Sequence, residues 1–204
     1  MRIGVDLDGT LISCKEKHVC LMASLLKAYN IKINMDVFWA LKRKGFSNIK
    51  ALNFFNLDNE VLKKINNQWV DMVENLEWLN MDKPLDGVFE FLSDIRDSKS
   101  SLHLISARNN VGNALIQIKS LNLYKYFDTV SFINIKNNEK KSDIFFSIGI
   151  DVYIGDTEYD YVMCVESNVK SILVSTGMRD FDFCKRFNEN TLDRLPIFDD
   201  IKCF

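Results

Sequence analysis

Two aspartates, Asp6 and Asp8, stand one residue apart in Ile3-Gly-Val-Asp-Leu-Asp-Gly-Thr10. Carboxylates at that spacing can divide the work of a group transfer. One attacks an electrophile while its neighbour handles a proton, provided their surroundings push the two pKa values apart. Ile3, Val5 and Leu7 alternate with Gly4, Asp6 and Asp8, the period-two pattern of a strand. Gly9 permits a sharp turn at its end. Both acids are therefore expected at the carboxyl end of a strand, where open α/β sheets place their ligands. An ordinary strand exit is also rich in Asp and Gly, so the pair must be judged with the elements around it.

Beyond Leu11 the period changes from 2 to 3.6. Val19, Met22, Leu25, Leu26 and Tyr29 share one face of a helix over 18–29. Asn34 or Asp36 caps a second helix that stops near Gly45, Ser47 starts a third, and Asp58 caps a longer one reaching Leu76. No strand pair is legible from 13 to 82, so this stretch reads as a helical insertion sitting over the site as a lid. Pro84 marks the return to the core. Helices are then expected near 88–95, 111–121, 143–148 and 159–165, and strands near 102–105, 129–133, 151–154 and 171–174. Such alternation implies a parallel sheet with right-handed crossovers. The tail after Gly177 carries a weaker pattern, helical over 181–187.

Four pieces together carry a family resemblance: Asp6-Leu-Asp-Gly-Thr10, the apolar run Leu102-His-Leu-Ile-Ser106, Lys140-Lys141 before a helix, and Gly155-Asp-Thr-Glu-Tyr-Asp160 after a strand. In this order, over nearly the whole chain, they resemble the haloacid dehalogenase-like phosphohydrolases. The resemblance implies an α/β fold, a Rossmann-like parallel sheet sandwiched by helices, with residues 1–12 and 83–204 as core domain and 13–82 as an inserted all-helical cap domain. It implies that Asp6 is a nucleophile forming an aspartyl-phosphate and a metal ligand. Asp8 would protonate the leaving group, then activate water, and offer its main-chain carbonyl to the metal. Asp156 would bind the metal directly, and Asp160 directly or through water. Ser106 and the amides after it, at Ala107 first, would bind phosphoryl oxygens. Lys141 is preferred to Lys140 as the charge-neutralising lysine because it immediately precedes the Ser-Asp helix start. Oxygen ligands without nearby His or Cys suit Mg²⁺.

The implied activity is Mg²⁺-dependent hydrolysis of small phosphorylated metabolites, phosphoglycolate phosphatase-like. A phosphomutase using the same aspartyl-phosphate and a non-catalytic metal-binding phospho-acceptor module are the alternatives. The second acid, Asp8, sets the chain apart from the dehalogenases of the superfamily. A phosphonate-cleaving relative would need a Schiff-base lysine in the cap. Relatives often carry Ala and Gly where Cys164 and Asn168 stand; a small buried thiol and a left-handed Asn fit those roles.

Within the insertion, Lys42, Arg43 and Lys44 form a basic step between two helical patterns. They would meet a second acidic group on the substrate, or else form a solvated helix end favoured by the dipole. Arg108 reaches the substrate or pairs with an acid at the rim; Arg179 salt-bridges near the site or lies on the surface. Trp39, Trp69 and Trp78 are expected in the insertion's core, and His18 and His103 in structural roles.

The composition is that of a soluble globular protein, with 47% apolar and 26% charged residues among 204. A net charge of −2 gives no general attraction to nucleic acid or membrane. Residues 11–83 hold 11 Lys/Arg against 8 Asp/Glu, leaving the acidic excess in the remainder. The five cysteines (14, 20, 164, 184, 203) include no CxxC pair and read as reduced, mostly buried thiols. With no apolar run long enough for a membrane span and no leader pattern, a cytoplasmic protein is expected.

Overall fold

The computed structural model describes residues 1–197 and 201–202. The chain opens with β1 (Arg2–Val5) and turns through a tight loop into β2 (Ile12–Ser13). Five helices follow: α1 (Lys15–Ala28), α2 (Met35–Arg43), α3 (Asn48–Asn53), α4 (Asn59–Met72) and α5 (Leu76–Leu79). The return strand β3 (Lys83–Pro84) pairs antiparallel with β2, so entry to and exit from the helical segment form one short ribbon. Then come α6 (Val88–Asp97), β4 (Ser101–Ala107), α7 (Val111–Ser120), β5 (Thr129–Ile133), α8 (Lys141–Ile148) and β6 (Val152–Gly155). The chain continues through α9 (Glu158–Glu166), β7 (Lys170–Val174), α10 (Phe181–Lys185) and β8 (Thr191–Leu192).

Six strands pair in the order β5-β4-β1-β6-β7-β8, all parallel. The chain builds outward from β1 on one side, then crosses to build outward on the other, the strand order of a doubly wound dinucleotide-binding sheet. The fold is the α/β one expected. Its crossover point opens a crevice between the carboxyl ends of β1 and β6, from which Asp6 and Asp156 emerge. Both faces of the sheet are covered, so the central strands are largely apolar: Ile3, Val5, Leu102, Leu104, Val152, Ile154, Ile172 and Val174 are all buried.

The helical segment packs around a separate apolar cluster containing Leu21, Met22, Leu26, Phe38, Leu52, Leu62 and Ile65. Its helix starts are set locally. The side chains of Asn34, Ser47 and Asp58 each accept backbone N–H groups of the turn that follows, the usual N-cap interaction. Trp78 and part of Trp69 belong to this core, and Trp39 is buried with its ring 6.0 Å from that of His18.

Several boundaries differ from the sequence expectation. Helix α1 begins at Lys15, not 18, which brings Lys17 onto the buried face with Leu21 and Leu25, at i+4 and i+8. The long helix breaks after Met72 and restarts at Leu76. β8 and the β2–β3 ribbon are two-residue strands, too short to show a period. Asn168 adopts φ 53°, and Cys164 is fully buried, as those substitutions suggested. Cys14 and Cys184 are buried, Cys20 is exposed, and Cys203 lies outside the described residues. No helix among the described residues is long and apolar enough to cross a membrane.

Candidate active site

At the crevice, Asp6, Asp156 and Asp160 each offer a carboxylate oxygen, all within 4.8 Å of one another. The Lys141 ammonium reaches into the group, 2.9 Å from Asp6 Oδ1 and 2.7 Å from Asp160 Oδ1. It also donates to the Tyr153 hydroxyl at 2.9 Å, which in turn donates to the Ile105 carbonyl at 2.7 Å. Each member is held from behind. Asp160 accepts the amide and hydroxyl of Thr157 in a capping box that starts α9. Asp156 accepts the Met178 N–H at 2.6 Å. Gly9 (φ 74°) and Gly177 pack against this carboxylate so closely that a Cβ at either would collide with Asp156 Oδ2. Lys140 extends outside α8 as its N-cap, and only Lys141 enters the carboxylate group.

Three carboxylates face one ammonium, leaving two negative charges uncompensated. Burial, and after it the neighbouring carboxylates Asp6 and Asp160, push the Asp156 carboxyl well above its usual range. Burial raises Asp6 as well, with Lys141 pulling the other way. Burial works against the Lys141 charge, yet Asp160 and Asp6 hold its pKa above the ordinary lysine value. An all-oxygen set with a residual charge of two suits a divalent hard cation.

Asp8 lies in a different environment. Its carboxylate pairs with Lys17 Nζ at 2.9 Å and an Arg108 guanidinium nitrogen at 2.6 Å. Lys17 continues to Asp82 at 2.6 Å, Asp82 accepts from Gln117 Nε2 at 2.8 Å, and Gln117 Oε1 accepts from Arg108 at 3.0 Å. Five side chains thus close a ring joining the β1 loop, α1, the approach to β3, α7 and the exit of β4. Burial would raise the Asp8 pKa, but Arg108 and then Lys17 override it and hold the acid well below its usual value. Burial pushes Asp82 up to about 6 against the pull of Lys17. Asp6 and Asp8 are therefore separated in proton affinity, but in the sense opposite to that of a nucleophile and its acid. Burial, and after it the nearby carboxylates, raises Asp6 against the pull of Lys141, whereas the cations around Asp8 lower it.

A cavity of about 550 Å³ opens over Asp6, Asp8, Ser106, Ala107, Lys141, Asp156 and Asp160. Ser106 and Ala107 close its floor at the end of β4; the next amide, at Arg108, is already bonded to the Ile133 carbonyl at 2.9 Å and is withdrawn from ligand binding. The basic step of the helical segment is placed differently from the expectation that it meets substrate. Arg43 donates to the carbonyls of Ser175 and Arg179, the backbone of Lys44 bridges to Arg179, and Lys42 is buried with its pKa lowered to about 8 by burial and Arg179. None of Lys42, Arg43, Lys44 or Arg108 lines the cavity among the described residues. Arg108 is turned to Asp8, and Arg179 grips Glu158 with two bonds of 2.6 and 2.8 Å. On the opposite side, Glu74 accepts the amides of Asn109 and Asn110 ahead of α7. His103 bonds Thr129 and Ser101 within the sheet, away from the site.

Sequence reasoning missed Tyr153, Lys17, Asp82, Gln117 and Glu74. Lys17 alone carried a signal, its helical spacing to Leu21 and Leu25.

No curated sequence matches the chain significantly. Solved structures do match along nearly its full length. A haloacid dehalogenase-like family hydrolase from Streptococcus pneumoniae has 14% identity and a TM-score of 0.74 over 99% of this chain and 95% of that one. A predicted phosphatase from Clostridium acetobutylicum has 21% identity and a TM-score of 0.70 over 98% and 95%. A predicted phosphoglycolate phosphatase from Haemophilus somnus has 16% identity and a TM-score of 0.69 over 99% and 96%. At such identities the likeness is one of fold. The family model described as "Haloacid dehalogenase-like hydrolase" matches residues 3–174, which include every residue of the carboxylate group and its lysine. By that match, on a sheet whose crossover point presents those side chains together, the chain belongs to the haloacid dehalogenase-like hydrolases.

Proposed function

We propose that the protein is a Mg²⁺-dependent phosphatase of small phosphorylated metabolites, with 1–12 and 83–204 as catalytic core and 13–82 as cap domain. The observation that carries this reading is the Lys141 ammonium bridging Asp6 and Asp160 beside a third buried carboxylate. A carboxylate attacking a phosphate dianion meets strong like-charge repulsion, and positive charge must be held where the two meet. Lys141 supplies one such charge. Asp6, Asp156 and Asp160, with the Asp8 carbonyl, would hold a divalent cation, which when bound supplies the remaining charge neutralisation.

Asp6 attacks phosphorus in line with the ester oxygen, the P–O bond to the leaving group breaks, and Asp8 delivers its proton to the departing oxygen. Water then attacks the aspartyl-phosphate while Asp8 takes its proton, and Asp6 is released with phosphate. Ser106 and the Ala107 amide bind the phosphoryl oxygens in this scheme. Lys17 and Arg108 favour ionised Asp8, the form the second step needs. A bound phosphoryl dianion favours protonated Asp8, the form the first step needs. The solvent-exposed rim formed by Glu139, Lys140 and Tyr159 supports water as final acceptor over a phosphomutase reaction.

A panel of phosphate esters assayed with Mg²⁺ and again with chelator tests the reading. Asp6→Asn is expected to lose at least about 10⁴ in turnover while keeping the wild-type melting temperature. Near-normal activity in that variant would remove the nucleophile from the scheme.

A further inference from the structure

Gly4 stands inside β1, a buried central strand, where no turn accounts for a glycine. A glycine weakens such a strand and marks a place where another group must come close. The group here is Tyr153. The two residues pair in register between β1 and β6, and a Cβ on Gly4 would lie 2.6 Å from Tyr153 Cδ2. The phenol ring therefore lies across β1 and carries its hydroxyl from β6 to β4. There it donates to the Ile105 carbonyl at 2.7 Å, one residue before Ser106. The ring is fully buried, and its centroid is 4.6 Å from that of Phe145, one helical turn after Lys141 on α8.

An ammonium has three protons to donate. Lys141 gives them to Asp6, Asp160 and Tyr153, at 2.9, 2.7 and 2.9 Å. Burial, and after it Asp6 and Asp160, push the phenol well above its usual pKa. The hydroxyl thus keeps its proton for Ile105 and offers the lysine a lone pair. The three partners are unequal over the reaction. Asp6 gives up its carboxylate charge when it takes the phosphoryl group, whereas Tyr153 stays neutral and anchored to the sheet. Resting on the phosphatase reading, we propose that Tyr153 is a positioning residue whose hydroxyl fixes the Lys141 ammonium at the phosphoryl site while the charge on Asp6 changes. Gly4 leaves the space that its ring needs to cross the sheet. Without the hydroxyl, the ammonium keeps only the two carboxylates, one of which is consumed in each turnover.

The test is a double-mutant cycle assayed with 4-nitrophenyl phosphate and acetyl phosphate at saturating Mg²⁺. Tyr153→Phe should lower kcat about tenfold, the scale of one hydrogen bond to a charged group, with a Tm within about 5 °C of wild type. In a Lys141→Met background the same change should cost less than about twofold, because the hydroxyl acts only through the ammonium. A merely structural tyrosine would cost the same in both backgrounds. Gly4→Ala keeps the hydroxyl but crowds the ring, and carries the same comparison if Tyr153→Phe does not fold. A second readout is independent of turnover. The Lys141 ammonium signal in a nitrogen–proton correlation spectrum, identified by its loss in Lys141→Met, should exchange with water about tenfold faster in Tyr153→Phe. Equal losses in both backgrounds, a loss below about twofold in the wild-type background, or unchanged exchange overturns the inference and leaves the phosphatase reading intact. No turnover of either ester by the wild type overturns the reading and the inference together.

Discussion

The molecule buries two charge systems a few residues apart, and they are built on opposite terms. Around Lys141, three carboxylates meet one ammonium. Around Lys17, two carboxylates meet an ammonium and a guanidinium, and Gln117 closes the ring. The first is unbalanced and lies over a cavity. The second is neutral and ties the helical segment to the sheet. A buried charge costs several kcal/mol unless paired, so a folded protein that tolerates an excess of two has a use for it. The difference separates a site that receives charge from a joint that holds two parts together.

The comparison can be broken most directly at its lysines. Lys141→Met should lower turnover by about 10² to 10³, the scale of one preorganised charge, whereas Lys140→Met should stay within about tenfold of wild type. Phosphate release measured at saturating Mg²⁺ separates the two, and equal losses would put the charge elsewhere. Lys17→Met should act mainly on stability. It strips a buried partner from Asp82 and one of two from Asp8, costing about 3 kcal/mol and on the order of 10 °C in Tm. If the ring is a joint, adding Asp82→Leu restores part of that loss; a double variant no more stable than the single one argues against it.

The unbalanced cluster should respond to cation and the neutral ring should not. At Mg²⁺ one hundred times its Kd, the wild type should gain about 2.7 kcal/mol of stability. Asp156→Asn should abolish the gain and raise the metal-free Tm by relieving repulsion. A smaller effect concerns His18, beside the ring, whose pKa burial and then Lys17 and Lys42 depress to about 3 from an ordinary 6.5. The unfolded chain binds this proton below pH 6.5 and the folded one does not. Stability from His18 is therefore complete above pH 6.5 and declines below it, by up to about 1.4 kcal/mol per pH unit until pH 3. Thermal melts of His18→Phe between pH 6.5 and 4.5 should show a flatter slope than wild type.

The elements that carry the site were legible because their periods are strong and their ends are marked. Apolar runs ending in Gly-Asp or Asp-Gly give β1 and β6, and Asn34, Ser47 and Asp58 mark helix starts through local hydrogen bonds. The two-residue strands and the break after Met72 were not legible, because they depend on partners distant in sequence. The basic step at 42–44 taught the sharper lesson. Its charge suggested a ligand, yet Arg43 satisfies backbone carbonyls of the 175–180 loop, and composition cannot tell an acidic ligand from a carbonyl.

What the chain's order of residues determined by itself is the sheet, its flanking helices and the four short motifs at its carboxyl edge. These depend on near neighbours: alternation, capping and turn chemistry. Only the tertiary structure decided that Lys141 reaches Asp6 across 135 positions and that Asp8 joins a ring with Lys17, Arg108, Gln117 and Asp82. Long side chains choose partners by where packed elements put them, and that position is a property of the whole fold.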